Sequence, residues 1–366
     1  MFVALREIRT AWGRFALMVG VVAMITSLLV VLTGLTQGLG RQSTSAIEAL
    51  PADRVVLTTS GDRQASYGDS VIDRSQQDAW SGTPGVTVTP LSIGHARLEM
   101  PSGTATSVAL FGAAPRGVYA GNGSADTGAT TDLTDTQIAL PEETADVLGA
   151  KAGARVTLNG TELTVARVEP TRWYAHSPVA TVTAATFAAT NHLDPKQVGS
   201  VLLADVDPSI DDATLAALDT KAGTTSFATA DSLAAIPGYR SEHSSLLLIQ
   251  AFLYGISALV VLSFVSVWTI QRTRDLAVLR ALGASRRYVL RDALGQAALL
   301  LFIGALTGGI LGAALVAGLA SVAPILLTVL VVTGPVVGIA ALGLAGSWLA
   351  TARVSRVDPL LALGGN

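Results

Sequence analysis

The chemistry open to this chain is limited first by what it lacks. Its 366 residues contain no cysteine, and the only lysines are Lys151, Lys196 and Lys221. A GxxxxGK[ST] loop needs glycines to bring backbone N–H groups against phosphate and a lysine beside them; no lysine here sits in that pattern. ATP hydrolysis is therefore not expected of this chain. HExxH, an EF-hand loop and GxSxG are also missing, and His95, His176, His192 and His243 have no metal-ligand spacing. Two polar groups stand out instead. Tyr239, Arg240, Glu242 and His243 come just before one long apolar run, and Gln37 and Arg41 come at the end of another. Phenol and imidazole can donate to a metal centre, and a guanidinium can hold a carboxylate.

The elements that must position these groups are four apolar runs. Residues 15–38 carry no charge, and at about 1.5 Å per helical residue they cross a hydrocarbon layer of ~30 Å. The others are 246–270, 293–320 and 325–350. Half the residues are hydrophobic and 14% are charged, which fits a membrane chain better than a soluble one. A secretory signal would have a shorter apolar core followed by a small-residue cleavage site, and four such runs exceed what a soluble core needs.

Charge fixes the expected orientation. Arg6, Arg9, Arg14, six arginines from Arg272 to Arg291, Arg353 and Arg356 flank the runs, whereas residues 39–245 hold 13 of the 24 basic residues and 23 of the 27 acids, a formal charge of −10. By the positive-inside rule, segments 1–14, 271–292 and 351–366 are cytoplasmic and the acidic domain lies outside, in a multi-pass protein of the cytoplasmic membrane. The expected fold is an α-helical membrane protein of four transmembrane helices, with an extracytoplasmic α/β domain, 39–245, inserted between the first two.

Within that domain, β-branched runs predict strands at 54–59, 86–91, 105–111, 155–158, 163–168, 179–183 and 201–206. Asp73 is expected to cap a helix through Trp80, Pro141 to begin one ending at Gly149, and Ser209 to cap one reaching Lys221. Asn159-Gly160 between apolar strands predicts a tight hairpin. Glycines at 20, 34 and 38, and at 304, 308 and 312, are spaced for close helix packing.

Residues 271–291 read QRTRDLAVLRALGASRRYVLR, an amphipathic cytoplasmic helix ended by Gly283. A basic helix resting on anionic lipid would look similar. This motif resembles the RxxD/ELAVLRALGAS hallmark of FtsX-like or MacB-like permease subunits of ABC transporters. The C-terminal RVDPLLAL, from Arg356, resembles that family's ending. The resemblance implies a homodimer docked on two copies of a separate cytoplasmic ATPase that binds ATP and Mg. It also implies that the loop helix transmits ATPase motion to the membrane helices and the outer domain. Arg272, Arg274, Asp275, Leu276, Leu279, Arg280, Leu282 and Gly283 would make that contact. Besides its protein partners, the chain is expected to meet membrane lipid and no nucleic acid.

Three further stretches resemble the haem-exporting branch of Gram-positive bacteria: ALREI from Ala4, LTGLTQGL ending the first run with LPADRVVL from Leu50, and the motifs WYAHSPV from Trp173 and IPGY from Ile236. That resemblance implies haem as cargo, with no permanent cofactor, and carries haem-contacting tyrosines over to Tyr174 and Tyr239. A ferric macrocycle with two propionates suits an apolar wall with an axial donor and a cation. His243, His176 and Met24 could add donors, Arg240 or Arg41 could meet a propionate, and Glu242 and Gln37 complete the polar rim. These residues also have plain roles: tyrosines suit membrane boundaries, histidines suit solvated hydrogen bonds, and Met24 suits packing. Export of a lipoprotein, peptide or macrolide, or signalling to a cell-wall hydrolase without transport, remain the other readings.

Overall fold

The computed structural model describes residues 12–59, 64–113, 119, 133–271 and 286–354. In chain order its first elements are α1 (Trp12–Glu48), β1 (Arg54–Thr58), β2 (Ile72–Asp73), α2 (Arg74–Ser81), β3 (Val86–Glu99), β4 (Ala105–Ala113), β5 (Gln137–Pro141), α3 (Glu142–Leu148), β6 (Arg155–Leu158), β7 (Thr161–Glu169) and β8 (Trp173–Tyr174). There follow β9 (Ser177–Thr183), α4 (Ala184–Asn191), β10 (Gln197–Gly199), β11 (Val201–Val206), α5 (Asp212–Ala222), β12 (Thr224–Ala228), a 3-10 turn (Asp231–Ala235), α6 (Tyr239–Gln271), α7 (Arg286–Leu319) and α8 (Val329–Val354). Two compact units emerge, Met1–Gly38 with Ser244–Asn366, and Leu39–His243.

In the first unit, stretches of α1, α6, α7 and α8 are long and apolar enough to cross a membrane. Their polar side chains are satisfied locally, as lipid requires. The hydroxyls of Thr26, Ser257, Thr307 and Ser347 each donate to the carbonyl four residues back, at 2.7–2.8 Å. Gly304, Gly308 and Gly312 of α7 face Val22, Ala23, Thr26 and Val30 of α1, so closely that an added Cβ would collide with them. Met18, Val22, Leu29, Val261, Leu300, Leu301, Ala305 and Ile339 form the buried centre, to which all four helices contribute.

The fourth helix starts at Val329, four residues later than the apolar run suggests. Residues 323–327 stay non-helical, turning tightly where Ile325 N–H donates to Ala323 O at 2.8 Å, and lie against α1, where Leu326 N–H donates to Gly34 O at 3.1 Å. Thr328 Oγ1 then accepts from Val331 N–H at 3.3 Å and caps the helix.

The second unit is mixed α/β. One sheet runs β12-β1-β11-β3-β4-β9-β5-β7-β6, and β3 pairs again with β6. The first half of β3 joins β11 and its second half joins β4, so β3 closes a six-stranded barrel with β4, β9, β5, β7 and β6. Leu98, Val108, Leu110, Ile138, Leu140, Val156, Leu158, Val165 and Val182 belong to the barrel core. The flat part of the sheet carries α2 and α5 against Val56, Leu202 and Ala204, with Trp80 fully buried.

Local chemistry explains the boundaries. Asp73 Oδ1 accepts from Gln76 N–H and Gln76 Oε1 from Asp73 N–H, a complete capping box. Asn159 and Gly160 have φ of 46° and 89°, as a two-residue β6–β7 turn demands. Two expectations are corrected. Asp211, whose carboxylate accepts from Thr214 N–H, caps α5 in place of Ser209, and Pro141 stands outside α3 at the cap position with ψ of 146°. Neither β5 nor β12 was expected.

Candidate functional site

The second unit gathers several of the expected site residues where α1 ends and α6 begins. The α1 tail is held by Ala46, Ile47 and Leu50, buried with Val55, Leu57, Leu203 and Phe111. Pro237 and Gly238, the latter at φ of 79°, separate the 3-10 turn from α6, and Glu242 N–H donates to Gly238 O at 3.0 Å. Tyr239, half-buried, packs against the Ala46–Ile47 cluster. One turn on, the His243 ring stacks on it, centroids 5.4 Å apart and planes 24° apart. Arg240 is exposed and donates from Nη1 to Gln64 Oε1 at 3.2 Å.

His176 occupies the turn between β8 and β9. Its Nε2 lies 2.9 Å from Glu242 Oε2 and 3.1 Å from Ser43 Oγ. A carboxylate accepts only, so Nε2 carries the hydrogen and the imidazole donates to Glu242. Both partners meet the same ring nitrogen. A nucleophile relay needs the acid and the hydroxyl on opposite nitrogens, so this serine, histidine and glutamate cannot act as one.

Tyr174 is placed elsewhere. It is 2% exposed, with its ring edge-on to Tyr67 and Phe111 and tilted beside His95. Burial, and secondarily Tyr67, pushes its phenol well above the ordinary tyrosine range. Arg41 is exposed on the α1 tail. Gln37 and Met24 belong to the helical unit, where both are exposed and Met24 reaches 69%. Among the described residues no group of three or more His, Asp or Glu is arranged to hold a metal ion.

Sequence reasoning missed Ser43 as a partner of His176, His95 beside Tyr174, and the Tyr119 ring under Arg172, whose Cζ lies 4.1 Å from its centroid. Pairings separated by 133 residues leave no local signal. The expected ATPase contacts, Arg272, Arg274, Asp275, Leu276, Leu279, Arg280, Leu282 and Gly283, lie outside the described residues.

In the helical unit, Gln250 Nε2 of α6 donates to Thr36 Oγ1 of α1 at 2.9 Å. Thr36 itself donates to Leu32 O at 2.8 Å, so its hydroxyl uses both capacities.

Comparison with known proteins bears on the whole chain. It is 22% identical over 382 aligned residues to a protein of Staphylococcus epidermidis, provisionally described as hemin transport system permease protein HrtB. A Staphylococcus haemolyticus protein with the same description is 23% identical over 368 residues. Each alignment covers 100% of this chain and 99% of the relative. Among solved structures, the periplasmic region of MacB from Actinobacillus actinomycetemcomitans aligns with a TM-score of 0.36 and 14% identity, over 50% of this chain and 92% of that one. Residues 247–359 match the family described as FtsX-like permease C-terminal, and the chain accordingly carries an FtsX-like permease domain that takes in the apolar helices α6, α7 and α8.

Proposed function

We propose that this chain is the membrane subunit of an ABC exporter that extrudes haem from the membrane and so limits haem toxicity. Two copies pair as a homodimer and dock on two copies of a cytoplasmic ATPase, which binds ATP and Mg. The observation that carries the reading is full-length similarity to two relatives described as hemin transport permeases, joined to the FtsX-like match over 247–359.

The geometry supports a cargo contact at the start of α6. Tyr239 and His243 present stacked rings there, with Arg240 one residue on as a cation for a propionate. Arg41, Gln37 and Met24 of α1 are the further contacts proposed along the haem path. His176 and Glu242 use each other as partners, which suits them to support this face. Tyr174 would join haem only if the aromatic core around it opened. Arg272, Arg274, Asp275, Leu276, Leu279, Arg280, Leu282 and Gly283 would receive the push from the ATPase, with the α/β domain outside and both termini inside.

The test uses the permease–ATPase complex in lipid nanodiscs. Titrated haem should give a Soret band and raise ATP hydrolysis, and Tyr239→Phe should weaken both. A complex with neither response does not export haem.

A further inference from the structure

Three arginines of the α/β unit stand beside acids. Arg155 meets Glu162 at 3.0 Å, Arg167 meets Glu169 at 2.6 Å, and Arg54 lies 3.9 Å from Asp212. Arg172 has no such partner. Among the described residues its guanidinium makes neither a hydrogen bond nor an ion pair, although residues 39–245 hold 23 acids against 13 bases. An exposed arginine can leave its donors to water, but Arg172 is half-buried, and a charge withdrawn from water without an acceptor is costly.

What holds this cation is a ring. Arg172 Cζ lies over Tyr119, 4.1 Å from the ring centroid, a cation–π contact. Both sides of the contact are fixed. Arg172 O accepts from Val179 N–H at 2.9 Å, and the next residue, Trp173, donates its N–H to Ser45 Oγ at 2.9 Å. Tyr119 Oη donates to Ala46 O at 3.3 Å, and its ring packs against the core that contains Ala46, Ile47 and Phe111. The ring therefore positions the guanidinium while leaving its N–H donors for an acceptor.

The local charge says which acceptor. Burial raises the Tyr119 phenol, Arg172 opposes that shift and Glu169 adds to it, so both charges act at the ring. Glu169 is already engaged by Arg167 Nε. Two arginines and one carboxylate leave a single net positive charge, which matches a monoanion and falls short of a phosphate dianion. Tyr119 and the half-buried Trp173 give the place an apolar flank. A carboxylate can accept two parallel N–H bonds from one guanidinium.

We propose that Arg172, held over Tyr119, is a carboxylate-binding site of the α/β unit that takes the acid group of an apolar molecule. The identity of that molecule rests on the reading of the chain as a haem exporter, under which the acid is a propionate of the cargo.

The permease–ATPase complex in phosphatidylcholine nanodiscs is titrated with three fluorescent probes: metal-free protoporphyrin, its dimethyl ester, and pyrenebutyrate as a carboxylate without a porphyrin. Anisotropy is read against empty nanodiscs. Arg172→Gln should weaken binding of the free-acid porphyrin and of pyrenebutyrate by roughly tenfold, because the charge-assisted bonds are lost, and leave the ester unchanged. Arg172→Lys keeps the charge and loses the two-pronged donor; it should fall between the two and serves where Arg172→Gln does not fold. Unchanged affinity for both acids would overturn the site, and so would an equal loss for acid and ester, which marks a structural effect. Dependence on Arg172 for pyrenebutyrate alone would keep the carboxylate site and overturn the cargo as its source. The exporter reading fails separately, when haem leaves ATP hydrolysis by the unmodified complex unchanged; pyrenebutyrate still decides the site in that case.

Discussion

The carbonyl oxygen of Pro324 lies in the space that a Cβ on Gly38 would fill. Four residues earlier on α1, a Cβ on Gly34 would come within 2.9 Å of Ile325 Cγ2 and 3.0 Å of Leu326 O. These glycines therefore admit the non-helical segment between α7 and α8. That segment is tolerated beside lipid because α1 covers it and takes the Leu326 hydrogen bond.

Gly38→Ala should consequently displace residues 324–326 and destabilise the permease by about 1–3 kcal/mol. Gly20→Ala, on the same helix with nothing within 4 Å of the new Cβ, should be neutral or stabilising, since glycine costs roughly 0.5–1 kcal/mol against alanine inside a helix. Thermal melting in one detergent compares the two. Equal melting temperatures would mean that the non-helical segment does not rest on Gly38.

The same region shows what the sequence could and could not convey. Apolar runs long enough to cross a membrane were visible because lipid demands length and leaves no alternative for uncharged residues. Asn159-Gly160 and the Asp73 capping box were equally legible, each being a local rule with one geometric solution. Ile325–Leu327 looked helical because apolar character does not distinguish a helix from a chain lying in a glycine groove. The α1 tail, RQSTSAIE from Arg41, has mixed helical preference, with Ser43, Thr44 and Ser45 weak formers, and is held as helix by Ala46 and Ile47 buried in the core of the α/β unit. For the candidate site, Tyr239 and His243 could be paired by their four-residue spacing on a helix. Ser43, His176 and Glu242 could not, because nothing local in the chain records that they meet.

The α1–α7 crossing makes a second expectation. Gly308 faces Ala23 and Thr26, where a Cβ would overlap Ala23 O. Gly308→Val should push the helices apart and lower the yield of folded permease, with an overpacking cost of about 1–3 kcal/mol. Gly318→Val, at an open position of the same helix, provides the matched case. Size-exclusion profiles after solubilisation discriminate them, and two identical monodisperse peaks would refute the close crossing.

A polar bond inside an apolar bundle gives a third. Gln250 Nε2 reaches Thr36 Oγ1 at 2.9 Å. Hydrogen bonds between membrane helices contribute roughly 0.6–2 kcal/mol, less than hydrocarbon alone would suggest, because the separated helices find other partners. A double-mutant cycle of Thr36→Val and Gln250→Leu should return a coupling energy in that range. Thr36→Val also removes the bond to Leu32 O, which is why the cycle, rather than either variant, isolates the pair. Additive effects would show that the two side chains do not meet in the folded protein.

The last expectation concerns alkaline pH. Burial raises the phenols of Tyr67, Tyr119 and Tyr174 above the ordinary value; Ser232 opposes the shift at Tyr67 and Arg172 opposes it at Tyr119. A folded value above the unfolded one means that the neutral form is favoured by folding. The associated stability is complete below the unfolded pKa of about 10 and fades as pH rises above it towards the folded values. Tyr67, Tyr119 and Tyr174 should therefore resist ionisation, and Tyr239, raised by partial burial and then by Glu48, should lag behind a free phenol; phenolate absorbance near 295 nm should rise in stages, the last one together with loss of tertiary signal. Ser232 Oγ donates to Thr229 O at 2.7 Å, so Tyr67 is the donor in their 2.8 Å bond. Tyr67→Phe leaves the serine bonded and should cost about 1 kcal/mol, while removing one phenol from the last stage. Full ionisation of all six tyrosines before any unfolding would contradict the buried aromatic core.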